Sequence, residues 1–265
     1  MKRFLLRVLG RVGLLQSAYR AYERVGSLRA VPGRPAVAGD GLPVPPPALI
    51  VRVAGTPDVA WFLRGGRLAA GSIRAALWRQ GLRIEDLGAV LDFGCGCGRV
   101  TRNWLGLAGT DVSGTDMNEQ AIEWCRRNLP FATFEPNGLA PPLVFETGRF
   151  DLVYALSVFT HLPEELQFLW MRELERVLRP GALLLLSTHG EHYVPRLSAE
   201  ERDRFAAGEI VVRWEEVAGT NLCTAFHPPS SVRERLAAGF EPVEFVREGA
   251  KGNPHQDLFV FRRGS

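Results

Sequence analysis

Val90-Leu91-Asp92-Phe93-Gly94-Cys95-Gly96-Cys97-Gly98-Arg99 is the stretch on which the fold turns. An apolar run over 89–93 ends in three alternate glycines, and a stretch with helical patterning, 100–107, follows. A strand that enters a glycine turn lets a ligand approach the backbone closely, because glycine carries no Cβ and adopts left-handed conformations. A helix start beyond the turn adds free N–H groups and a partial positive charge. Asp92 stands at the end of the strand, at the mouth of the turn. A carboxylate there repels a pyrophosphate and favours a ligand carrying an ammonium group. The third glycine also falls one position too early for the G-x-G-x-x-G dinucleotide fingerprint.

Working outward, strands and helices alternate. The pattern predicts strands over 111–116, 132–134 and 150–156, helices over 119–128 and 163–177, and a leucine-rich strand over 183–187. That rhythm means a parallel sheet covered on both faces. Asp116 ends the second strand, 24 residues after Asp92, where a carboxylate accepts both hydroxyls of a ribose. Residues 190–231 break the rhythm and read as an insertion. A helix over 231–238 and a hairpin of strands 241–246 and 258–261 close the chain.

Upstream, Phe4, Val8, Val12, Leu15, Tyr19 and Tyr22 recur at helical spacing within 1–29, a segment with seven basic residues against Glu23 alone. It reads as an amphipathic helix that covers the domain, and is also a candidate for peripheral membrane attachment or protein docking. The proline- and glycine-rich stretch 30–47 reads as a linker. Residues 56–80 read as helical, with Gly65-Gly66 expected to break the segment in two. The domain division is thus 1–47, helix and linker, and 48–265, the main domain with cap helices over 48–87 and the insertion at 190–231.

Of the 265 residues 46% are hydrophobic, and the net charge is +3, too mild to suggest nucleic acid as a partner. Lys2 and Lys251 are the sole lysines among 32 basic residues, the usage of a GC-rich bacterial coding sequence. Cys95, Cys97, Cys125 and Cys223 are too few for a disulfide framework and lack Cys-x2-Cys spacing, so they read as reduced thiols of a cytoplasmic protein. No apolar run reaches the ~18 residues of a membrane span.

Residues 90–100 resemble the first motif of class I S-adenosylmethionine (SAM) dependent methyltransferases, small-molecule enzymes in particular. Asp116-Met117 is similar to their acidic second motif, Phe150–Ser157 to their fourth, and Val177-Leu178-Arg179-Pro180-Gly181 to their turn into the fifth strand. The resemblance spans 88–190 and implies a Rossmann-like doubly wound α/β sheet, mostly parallel with an antiparallel C-terminal strand, plus an N-terminal helical cap. It implies SAM as cofactor, S-adenosylhomocysteine as product, and a cofactor site of Asp92, Gly94, Cys95, Gly96, Gly98, Asp116, Met117, Asn137, Gly138, Leu139, Leu156 and Ser157. Asn137 stands where related enzymes often carry Asp. Its side-chain oxygen accepts the same bond from an adenine amino group.

Methyl transfer needs the acceptor held near the methyl group, and a base where the acceptor is a hydroxyl or a protonated amine. His161, after the fourth strand, and His189 and His192, after the fifth, are the candidates to contact the acceptor. His227 is a candidate to close the pocket, and His255 reads as surface. His189-x2-His192 has no further ligand at metal-site spacing, so no metal is expected. The expected function is methyl transfer to a small-molecule acceptor, oxygen ahead of nitrogen or carbon. The rival readings are an NAD(P)-dependent oxidoreductase, which shares the glycine turn and Asp116, and a non-catalytic SAM-binding scaffold.

Overall fold

The structure, a computed structural model, describes residues 36–253 and 255–264, together with Leu15, Ser17, Ala18, Ala21 and Val25. Those five are helical, and Leu15 is buried against Val217 and Cys223 of the insertion. The rest of the expected 1–29 helix lies outside the described residues.

Seven strands form one sheet: β1 Ala89–Phe93, β2 Asp111–Asp116, β3 Thr133–Pro136, β4 Phe150–Ala155, β5 Leu178–His189, β8 Phe240–Val246 and β9 Gln256–Arg263. Their order is β3-β2-β1-β4-β5-β9-β8, and β6 Val211–Arg213 pairs with β7 Thr224–Phe226 in a separate ribbon. β1 to β5 are parallel, and β9 runs antiparallel between β5 and β8. The chain leaves β1 toward β2 and β3, then returns to β4 on the other side. That reversal opens a crevice at the carboxyl ends of β1 and β4.

Alternation along the strands supplies two cores. Leu91, Phe93, Val153, Leu184, Leu186 and Phe259 meet Trp170, Met171 and Leu174 of α4, Glu164–Val177. Val90, Leu152, Leu185 and Val260 meet Ala69, Ile73 and Leu77 of α2, Val59–Arg79. Fully burying each such side chain stabilises the fold by about 1.5–3 kcal/mol. α1, Pro47–Ala54, precedes α2, and α3, Glu119–Asn128, follows β2. The linker is held down by an ion pair in which buried Arg102 grips both oxygens of Asp40, at 2.7 and 2.9 Å.

Three expected elements differ. α2 is unbroken through Gly65-Gly66. The glycines mark close contact instead: a Cβ on Gly66 would collide with the Arg99 carbonyl oxygen, and one on Gly65 would lie 2.9 Å from the Arg99 guanidinium. Over 100–107 only a 3-10 turn forms, Thr101–Trp104. There the Asn103 side chain donates to the carbonyls of Arg99 and Val100, competing with the backbone bonds that an α-helix needs. Over 231–238 the chain makes one short turn, Pro229–Ser231, and a π-helical turn, Val232–Leu236.

The insertion has its own small core. α5, Ala199–Ala206, begins with a capping box between Ser198 and Glu201, and Phe205 packs with Tyr193, Leu197, Val211 and Phe226. Tyr193 and Phe226 are therefore committed to packing. No described helix is long and apolar enough to cross a membrane.

The two kinds of glycine in α2 are separable. Gly66→Ala is expected to lower stability by at least about 2 kcal/mol, since the backbone must move to admit a methyl group. Gly71→Ala, whose Cβ meets nothing within 4 Å, is expected to raise it by about 0.5–1 kcal/mol. Chemical denaturation of both variants checks the pair.

Candidate functional site

The crevice between β1 and β4 is a cleft of about 520 Å³. Its floor is the glycine turn. Gly94 and Gly96 have φ of 77° and 54°, values that glycine adopts without strain. The space above them is filled by neighbours: a Cβ on Gly96 would sit 2.5 Å from Val53, and one on Gly94 would strike Val158. Gly98 does not line the cleft. It gives room to Leu129 and Cys125 behind the turn.

Asp92 is 4% exposed. Its neighbours in the sheet are Gly114 of β2 and Tyr154 of β4. Thr101 Oγ1 donates to its Oδ2 at 2.6 Å, and the Tyr154 hydroxyl donates to the same carboxyl group. Trp104 Nε1 donates in turn to the Tyr154 oxygen at 2.8 Å. Burial raises the Asp92 carboxyl to about 6, against the pull of these bonds and of Arg99. Arg99 cannot fully compensate it, because its guanidinium is spent on Gly252 O and Asn253 Oδ1 of the β8–β9 loop, at 3.1 and 2.6 Å.

Asp116, at the end of β2, accepts the N–H groups of Gly96 and Asn118, both at 2.8 Å. Desolvation nevertheless raises its pKa. Met117 and Leu139 stand beside it, each about two-fifths exposed, as an apolar clamp. Asn137 accepts from Thr115 Oγ1 at 2.8 Å and donates to Gly138 O at 2.7 Å, so one lone pair of its side-chain oxygen is already engaged.

The histidines divide. His161 lies in the 3-10 turn Phe159–His161 and keeps an edge on the cleft. Its Nδ1 bonds the carbonyl of Cys223 at 2.8 Å. A carbonyl only accepts, so Nδ1 carries the proton and Nε2 keeps its lone pair. Desolvation lowers its pKa, partly offset by that bond. His189 lies behind it, ring centroids 6.5 Å apart, with Nδ1 on Ala225 O at 3.2 Å. Burial first, then His161, depresses His189 to about 3. His189 and His192 do not line the cleft, which corrects the expectation that both loops deliver a histidine to it. His192 instead turns to Glu248 and His255. His227 is fully buried on Gln167 Oε1 at 2.9 Å and closes nothing. His255 is at the surface, as expected. All four cysteines are free and buried.

The other cofactor-site candidates, Asp92, Gly94, Cys95, Gly96, Asp116, Met117, Asn137, Gly138, Leu139, Leu156 and Ser157, all line this one cleft. Sequence reasoning missed Arg52 and Val53 of α1, the insertion loop 218–221, Arg99 and Asn253. The loop closes over the apolar clamp: a Cβ on Gly219 would strike the Met117 sulfur. Gly219 N donates to His161 O at 2.8 Å, and Asn221 Nδ2 donates to Arg52 O at 2.6 Å. Asn253 is 7% exposed, and its Nδ2 has no partner among the described residues. Only that unusual burial of an amide and a guanidinium, invisible in one sequence, would have pointed to it.

Residues 90–181 match a family described as methyltransferase domain. An uncharacterized methyltransferase of Synechocystis is 38% identical over 109 residues, 40% of this chain and 50% of that protein. Tocopherol O-methyltransferase, chloroplastic, of Arabidopsis thaliana is 28% identical over 173 residues, 62% of this chain and 45% of that protein. The chain thus spans about half the length of these curated relatives. The solved 1,6-didemethyltoxoflavin-N1-methyltransferase of Burkholderia thailandensis, with 1,6-didemethyltoxoflavin and S-adenosylhomocysteine bound, shares the fold at a TM-score of 0.55. It is 20% identical, with 81% of this chain and 84% of that one covered.

The Asp92 carboxylate is costly to the fold and is expected to be useful only to a cationic ligand. Its folded pKa lies above its ordinary value, so it weakens the fold as pH rises from about 4 to about 6. Asp92→Asn is expected to melt no lower than the parent at pH 8, while losing at least about tenfold in affinity for S-adenosylhomocysteine. In the parent, that affinity is expected to fall as pH drops below about 6. Thermal melts and calorimetry across pH check both statements.

Proposed function

We propose that this chain, whose residues 90–181 match a methyltransferase domain, is a class I SAM-dependent methyltransferase that transfers a methyl group to a small-molecule acceptor, an oxygen nucleophile ahead of nitrogen or carbon. The observation that carries the reading is the uncompensated Asp92 carboxylate at the floor of a glycine-lined cleft. The cleft's donors and acceptors suit SAM part by part. Asp92 faces the ammonium, Asp116 takes the ribose hydroxyls, and Met117 and Leu139 flank the adenine beside Asn137. The unpartnered Asn253 Nδ2, next to the Arg99 guanidinium, suits the carboxylate.

When bound, SAM supplies an already activated methyl group on a sulfonium centre. The protein's part is then to hold the acceptor in line and to take its proton. His161 is suited to the second task. Its Nδ1 proton is committed to Cys223 O, so Nε2 is a base. Desolvation keeps the ring neutral at neutral pH. The loop 218–221, bonded to His161 O and Arg52 O, forms one wall of the site beside the candidate base. Support for an oxygen acceptor comes from this base and from the relative named an O-methyltransferase.

Calorimetry with SAM, S-adenosylhomocysteine and NAD is the first test. Binding of the first two and not of NAD is expected; the reverse defeats the proposal in favour of an oxidoreductase. Transfer of labelled methyl groups to a panel of phenols, amines and activated carbons then separates the acceptor classes and the scaffold reading. With a hydroxyl acceptor, His161→Ala is expected to lower kcat by about 10²–10⁴ with little change in SAM affinity. The acid limb of kcat/KM in the parent is expected below the ordinary imidazole range, because the shift of His161 is downward.

A further inference from the structure

Away from the cleft, three side chains from separate segments converge. His192 lies in the 3-10 turn Glu191–Arg196 after β5, Glu248 in the turn after β8, and His255 immediately before β9. One ligand atom from each lies within 4.8 Å of the other two. His255 Nδ1 is 2.6 Å from one oxygen of Glu248, and His192 Nδ1 is 3.4 Å from the other. The two imidazoles stack 3.6 Å apart with planes at 3°. Both rings therefore turn Nδ1 toward one carboxylate, with their in-plane lone pairs side by side, so one ring has to turn out of the stack for both to meet one ion.

We infer that His192, Glu248 and His255 form a binding site for a divalent transition metal of the zinc type. Two imidazoles and a carboxylate are a donor set that zinc takes, and three protein ligands leave a position for water. Ligand atoms at about 2.0–2.2 Å from a tetrahedral ion lie about 3.4 Å from one another. The His192–Glu248 pair already has that separation, and the His255–Glu248 pair must open from 2.6 Å as one imidazole rotates out of the stack, a movement open to side chains that are partly or fully exposed.

The surroundings agree. Glu248 and His255 hold left-handed backbones, φ 48° and 53°, which are unfavourable for a residue with a Cβ. Such strain persists where neighbours impose it. Buried Asp257 fixes the turn by accepting the Glu248 N–H at 2.8 Å through Oδ1. Of the nearby acids, Glu191 is paired with Arg247 at 3.1 Å and Asp257 is buried, which leaves Glu248 as the carboxylate that faces the two imidazoles.

The site has a consequence for the cleft that does not depend on which reaction occurs there. Glu248 and His255 bracket the β8–β9 loop, and within that loop Gly252 and Asn253 hold Arg99. An ion on the bracket closes the loop at its base and ties it to the insertion through His192.

The test uses the full chain, stripped with a chelator and titrated with zinc chloride by calorimetry and thermal melting. One equivalent is expected, with a rise in melting temperature. His192→Ala, His255→Ala and Glu248→Gln are each expected to lower zinc affinity at least about tenfold. Without metal they are expected to melt within a few degrees of the metal-free parent, since all three side chains are partly or fully exposed. Cobalt(II) substitution is expected to give visible bands without a thiolate charge-transfer band. Absence of binding, binding that survives the His192→Ala/His255→Ala double variant, or a thiolate band placing the metal on Cys95, Cys97 or Cys125 would each overturn the assignment.

Discussion

A carboxylate at the end of a fully buried parallel strand has little water to solvate it, and the organisation of this molecule follows from how Asp92 is accommodated. The group is held by hydroxyls from Thr101 and Tyr154. Tyr154 is in turn held by Trp104, so a polar thread runs from the strand end into the core between α2 and the sheet. Each donor is satisfied, and still the ionised form is disfavoured. Hydrogen bonds alone do not repay the desolvation of a charge. A cation arriving from the cleft would supply the missing partner, a place a phosphate is least able to take.

The cleft is assembled from parts of the chain that are far apart in sequence. α1 brings Arg52 and Val53, the insertion brings residues 218–221, and the β8–β9 loop brings Asn253. These parts are cross-tied: Asn221 to Arg52, Gly219 to His161, and Arg99 to the β8–β9 loop. Ser157, itself left-handed at φ 62°, is locked by Ser187 and Gln256. Rigidity near the candidate base thus comes from β5 and β9, well outside the signature segment.

The sheet was legible because its evidence is local. Apolar runs such as Val90-Leu91 and Leu183–Leu186, punctuated by glycine and acidic residues, state strand, turn and ligand side within a few positions. Asp92 and Asp116 were readable because strand ends place them. The errors were also local readings, overruled in one case by a tertiary crossing and in another by a side chain bonding nearby backbone. Gly65-Gly66 has the composition of a helix break, yet serves a close crossing with Arg99. Residues 100–107 have helical spacing, yet Asn103 takes the carbonyls that a helix would use. His189 and His192 are three positions apart, but His189 ends β5 and His192 lies in the 3-10 turn Glu191–Arg196, so they meet different neighbours, one inward to Ala225 and one outward to Glu248. No spacing rule links 52, 99, 219 and 253, so their meeting was not readable from one sequence.

The crossing of α2 over the glycine turn also bears on how tolerance to substitution should be interpreted. At Gly66 the obstacle to a side chain is a main-chain carbonyl oxygen, that of Arg99. A second substitution can shrink a neighbouring side chain, but none can shorten a peptide group. Suppressor selections started from a Gly66 variant will therefore recover revertants, or distant mutations that stabilise the whole molecule, and no local partner. A position intolerant for this reason lies next to the ligand loop, yet its intolerance reports the geometry of two backbones and carries no information about what the cleft binds.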